Sequence, residues 1–169
     1  MTSSSPPGLA RFNALAHDEV ADVLTEICSS GAWGAALLAR HPFATADDLL
    51  TASDTATAVL SADDLAEAMA GHPPIGRPKP GDPVSAREQR GMAGASDALR
   101  AEMLELNLAY QERFGHVFLI CATGATAGQM RDALRARTGN TPERESAIVR
   151  IELGKINRIR LTRLMTEGE

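Results

Sequence analysis

Leu99, Met103, Leu106, Tyr110 and Phe114 follow one another at spacings of four, three, four and four, and Gly115 closes the series. A strand turns successive side chains to opposite faces, so this order gives a single apolar face only when wound as an α-helix. The same rhythm returns in Val20, Leu24 and Ile27, in Leu65 and Met69, in Met130 and Leu134, and in Val149, Leu153 and Ile156. Starts and stops fall between these runs. Thr45 precedes Asp47 and Asp48, Ser61 precedes Asp63 and Asp64, Thr126 pairs with Gln129 in a capping box, and Thr141-Pro142-Glu143 sets proline at a first helical position. Gly31, Gly71 and Gly139 end helices. The predicted fold is all-α, with about seven to eight helices in a single compact domain over residues 11–169 behind a flexible lead-in over 1–10.

Some local readings are finer. Ser53 or Asp54 is expected to interrupt the helix that starts at Thr45, and Ser85 with Glu88 fits a capping box opening one long helix that runs to Phe114. The run Val117–Ala122 is too short for its period to decide between a strand and a buried irregular segment.

The one linker-like stretch is Gly71–Gly94, with five prolines between His72 and Ser85. Rings that fix φ allow order without helix or sheet, and long loops in compact domains are either functional or disordered. His72 stands directly after a helix-ending glycine. It can serve as a general acid or base, or as a favourable partner for the helix C-terminus. Ser85 and Glu88 can hold a polar ligand or simply cap a helix. Gln89 can donate to and accept from a urea-like group, or sit idle in solvent. Arg160 continues the apolar stripe of the last helix, which calls for an acidic partner, an anionic ligand, or a stem packed with its head in water.

A net charge of −5 gives no broad basic surface, which argues against nucleic acid or an anionic membrane as partner. Cys28 and Cys121 lack metal-type spacing and read as reduced thiols. His17, His41 and His116 are scattered, so no metal site is expected. No leader, membrane span or peroxisomal address is seen, and the expected location is the cytoplasm.

GHPPIG with SAREQRGMAG, LNLAYQERFGHVFLICATG and a final KINRIRLTRLM together resemble the OHCU decarboxylase family of ureide metabolism. The resemblance runs from about Phe12 to Leu164. It implies a cofactor-free, all-α lyase that removes CO₂ from 2-oxo-4-hydroxy-4-carboxy-5-ureidoimidazoline (OHCU), giving (S)-allantoin in urate degradation. By the same resemblance His72 is the active-site histidine and proton donor, Pro73 shapes its pocket, and Glu88 is its acidic partner. Ser85, Ala86, Arg87 and Gln89 form a substrate-binding segment, Leu119, Ile120, Cys121, Ala122 and Thr123 offer backbone contacts, and Arg160 binds a substrate oxygen or holds Glu88. The implied partners are the small ureidoimidazoline substrate and a second copy of the chain in a homodimer. Departures from the family's usual pattern are Pro74, Ala86, His41-Pro42-Phe43 and FGHVF. Two other readings share these features: a non-enzymatic helical interaction module, and a decarboxylase of the same architecture for another small carboxylated heterocycle.

Overall fold

The computed structural model describes residues 6–72, 75, 86 and 88–166. Those residues form α-helices and connecting segments, with no strand among them. None of the helices is long and apolar enough to cross a membrane. Contacts group the chain into two compact units, Met1–Ala68 with Gly154–Glu169, and Met69–Leu153.

The first unit holds α1 (Pro7–Ala14), α2 (His17–Ile27), α3 (Gly31–Leu38), α4 (Ala46–Ala58), all but the last two residues of α5 (Ala62–Ala70) and, from Gly154 on, the second half of the last helix. Helix α1 starts inside the stretch read as a lead-in, because Pro7 stands at a first helical position and Leu9 and Phe12 are each only 2% exposed. Ser30 accepts from the Trp33 amide and Thr45 from the Asp48 amide, so α3 and α4 open on capped ends.

Helix α4 is not interrupted at Ser53 or Asp54. The buried Ser53 hydroxyl accepts the Trp33 indole N–H at 3.2 Å, which engages the side chain that would otherwise compete with the helix backbone. Cys28 is 2% exposed. Burial raises its thiol pKa, against the opposing pull of the Ser30 backbone, Asn157 and Arg160.

The second unit carries the end of α5, a 3-10 turn (Arg90–Met92), α6 (Asp97–Phe114), α7 (Ala127–Thr138) and the first half of α8 (Pro142–Thr166). Its core joins Ile75, Met92, Met103, Tyr110, Phe118, Ala122, Met130 and Leu134. The single long helix expected from Ser85 to Phe114 is broken. Gly91 and Gly94 weaken the helix, and Ser96 caps a new start by accepting from the Leu99 amide at 3.1 Å. Arg100 then ties the break down, donating to the carbonyls of Met92 at 2.5 Å and Ala95 at 3.3 Å. Helix α6 ends on Gly115, whose φ of 79° is the left-handed geometry that glycine adopts freely. Thr126 and Gln129 form the reciprocal capping box read from the sequence. The run at 117–120 is irregular and partly buried.

A Cβ at Gly91 would collide with the Ala125 carbonyl, whereas one at Gly94 would meet nothing within 4 Å. Gly91→Ala is therefore expected to lower stability by ~1–3 kcal/mol, and Gly94→Ala to be neutral or slightly stabilising. Paired thermal melts check this, and equal melting temperatures for the two variants would refute it.

Candidate active site

Helix α5 stops at Ala70, and the amide of His72 donates to the Met69 carbonyl at 3.0 Å, so the imidazole leaves the chain where the helix ends. His72 is half-buried. Three residues on, Ile75 is 7% exposed in the core, and its carbonyl accepts Asn107 Nδ2 from α6 at 3.1 Å. Ala86 is helical and exposed, and Glu88 is helical and half-buried. Gln89 is not idle in solvent, being only 6% exposed. Pro73, Ser85 and Arg87 lie outside the described residues. Leu119 and Ala122 are buried, Ile120 and Cys121 half-buried, and Thr123 exposed.

His72, Ala86, Glu88, Gln89 and residues 119–123 thus belong to one compact unit, Met69–Leu153, and Arg160 to the other. Within its unit Arg160 is half-buried and donates Nη1 to the Ile27 carbonyl at 2.7 Å. A backbone oxygen is therefore one of its partners. His41 and His116 are engaged locally, with the carbonyls of Phe12 and Val117 at 3.0 Å. Among the described residues no three His, Cys, Asp or Glu side chains gather as metal ligands would.

The segment 119–123 is held from both sides. Arg137 on α7 donates Nη1 to the Leu119 carbonyl at 2.8 Å, and the Cys121 amide donates to Glu152 Oε1 on α8 at 3.3 Å. Arg137 is itself fixed by Glu145, whose Oε1 accepts Arg137 Nε at 2.8 Å, Arg137 Nη2 at 2.5 Å and the Tyr110 hydroxyl at 2.6 Å. Asn140 Nδ2 reaches Glu145 Oε2 at 3.1 Å, and the Arg137 guanidinium lies over the Phe118 ring at 4.4 Å.

Burial alone would raise the Glu145 carboxyl. Hydrogen bonds from Arg137, Tyr110 and Asn140, with the charge of Arg137, outweigh it and hold the pKa below the usual carboxylate value. The Tyr110 hydroxyl is pushed the other way, chiefly by burial and then by its bond to Glu145.

The sequence reading missed this network, although a signal was present. Arg137 continues the Met130–Leu134 stripe and Glu145 precedes Val149 by four, so each charge occupies an apolar face just as Arg160 does.

The family model for OHCU decarboxylase matches residues 13–162. Two curated relatives are the uric acid degradation bifunctional proteins TTL of Arabidopsis thaliana and PucL of Bacillus subtilis (strain 168). TTL is 29% identical over 83% of this chain and 45% of its own length, and PucL 28% identical over 92% and 32%. The chain therefore spans less than half of either. A crystal structure of an OHCU decarboxylase in the presence of (S)-allantoin superposes with a TM-score of 0.75 at 30% identity, covering 85% of this chain and 97% of that one. A crystal structure of (S)-allantoin synthase shares the fold, with a TM-score of 0.72 at 23% identity over 93% of this chain and 54% of that one.

A carboxylate whose folded pKa is depressed stabilises the fold above its unfolded value, and that stability is lost as pH falls through the folded one. Glu145→Gln leaves the Arg137 guanidinium, 9% exposed, without its counter-charge. The variant is expected to be ~3–5 kcal/mol less stable than the parent at pH 7. The gap is expected to narrow as pH falls below the ordinary glutamate range and on through the depressed pKa of the folded carboxyl, where the parent's carboxylate protonates. Urea melts from pH 7 to pH 3 measure it, and a gap that stays constant over that range would exclude this account of the network.

Proposed function

The chain belongs to the OHCU decarboxylase family, and from that premise we propose that it removes CO₂ from OHCU to give (S)-allantoin, with His72 as proton donor and without a cofactor. The observation that carries this reading is the family match across residues 13–162. The likeness to an OHCU decarboxylase at 30% identity over 97% of that chain supports it.

The chemistry asks for little beyond binding and one well-aimed proton. When the carbon–carboxylate bond breaks, its electron pair passes into the adjoining imine and carbonyl of the substrate, and CO₂ departs. A proton then arrives on the neighbouring carbon that carries the ureido group, while the hydroxyl on the decarboxylated carbon gives up its proton to become a carbonyl, and the face of protonation sets the configuration. Imidazole transfers protons near neutral pH, and Glu88 would fix its tautomer by hydrogen bonding to the other ring nitrogen. Gln89, with a donor and an acceptor on one amide, suits the ureido group, as do Ser85 and the backbone of Leu119–Thr123. Pro73, Ala86 and Arg87 would complete the wall. Arg160 would offer charge-assisted bonds to a substrate oxygen or steady Glu88. Stripping water from the carboxylate favours its loss, because the neutral product loses less by leaving water than the anion does.

The reading includes a cytoplasmic location and a homodimer, and light scattering on the purified protein measures the second directly. Added to freshly generated OHCU, the protein is expected to speed its loss and give (S)-allantoin, seen as a circular dichroism signal where the spontaneous reaction gives racemate. His72→Ala is expected to lower the rate ~10²- to 10⁴-fold with the helical far-ultraviolet spectrum retained. Optically pure allantoin formed by His72→Ala at the parent's rate would end the mechanism.

A further inference from the structure

Asn107 is only 5% exposed, yet among the described residues its Oδ1 finds no hydrogen-bond partner. A buried polar atom left unpaired costs more than the single bond its Nδ2 makes to the Ile75 carbonyl typically returns. A leucine of similar volume would remove the unpaired oxygen but leave the Ile75 carbonyl without this donor, so the amide is explained by that one bond and not by burial of its own side chain. What the amide does provide is a fixed place for the backbone at Ile75. Only Pro73 and Pro74 separate Ile75 from His72, and proline leaves a chain few torsions with which to wander. The side chain of Ile75 is seated in the same core as Tyr110, so the carbonyl is held by a bond and the residue by packing.

Tyr110 stands one turn after Asn107 on α6. Its hydroxyl meets Glu145, Glu145 holds Arg137, and Arg137 donates to the Leu119 carbonyl. One turn of one helix therefore reaches the loop that follows His72 and, through a relay of buried charge, the segment Leu119–Thr123.

We infer that Asn107 is a positioning residue for His72, and that α6 sets the imidazole loop in register with Leu119–Thr123 through Asn107 and Tyr110. The inference rests on the proposed function for the chemistry performed there, but the geometry of the bond does not depend on it. A loosened loop leaves substrate contacts in place while misaiming the proton, and a misplacement of about 1 Å is worth up to about 100-fold in rate.

The test uses the full chain with Asn107→Asp, which keeps the volume but cannot donate at neutral pH, Asn107→Leu, and Tyr110→Phe, which loses only the hydroxyl. Met130→Ala, in the same core with its side chain fully buried, serves as a control for destabilisation alone. Each is read by kcat and KM on fresh OHCU, by the optical purity of the product, and by NMR of the His72 ring and of the amides of residues 119–123. The Asn107 variants are expected to lower kcat about 10- to 100-fold with KM within about threefold. Their His72 ring signals are expected to shift and the product to lose optical purity. Tyr110→Phe is expected to move the amides of residues 119–123, and Met130→Ala to leave kcat and the His72 signals unchanged. Unmoved His72 signals in both Asn107 variants would overturn the inference, as would an equal loss of kcat in Met130→Ala. A parent inactive on OHCU would count against the proposed function alone, since the NMR arm still decides the role of Asn107.

Discussion

The carboxylate of Glu145 is the point on which the second compact unit turns. At 1% exposure it cannot stay ionised without compensation, and four donors from three side chains surround it. Those donors come from the end of α6, the end of α7 and the turn before α8, so one buried charge draws three elements to a common place. Arg137 has a donor left over, and it goes to Leu119. The irregular segment after Gly115 is thus fixed without becoming a strand. Backbone groups in a buried loop need partners, and here they come from charged side chains of neighbouring helices.

Most of the architecture was legible because helices announce themselves locally. Thr45, Ser61 and Thr126 cap where they were expected to, and Gly115 ends α6 as read. The misreadings share one cause: a local signal overruled by something distant in sequence. Ser53 reads as a breaker only until Trp33, twenty residues earlier, occupies its hydroxyl. The long helix from Ser85 fails at Gly91 and Gly94 although the stripe beyond them is intact. For the candidate site, the motif placed His72 at a helix exit but left Gln89 open between a ligand and solvent, and its 6% exposure decides against solvent. The motif gave no hint that Asn107 would hold Ile75, since a hydrogen bond across 32 residues leaves no periodic trace. Arg137 and Glu145 were visible in principle as charges on apolar faces, but only their pairing shows why they are tolerated there.

The parts of the candidate site differ in how they are built. His72 depends on chain direction at a helix end, which a short motif encodes well, whereas the burial of Gln89 does not show in the motif. The segment Leu119–Thr123 depends on two acidic side chains and one arginine from helices that come later in the chain. A family motif written only on Leu119–Thr123 therefore omits the residues that give it shape, and variation at Arg137 or Glu145 would be felt there without any change in the motif itself.

The two thiols sit in opposite circumstances. Cys28 is sealed in the first unit with its proton held more tightly than usual, while Cys121 is half-buried within the segment anchored by Arg137 and Glu152. Thiolate is the reactive form, so an alkylating dye offered to the native protein should discriminate between them and mark Cys121 first. That leaves a single addressable handle within the irregular segment, and its rate of modification would report on how firmly Arg137 and Glu152 hold that backbone, without any engineered label.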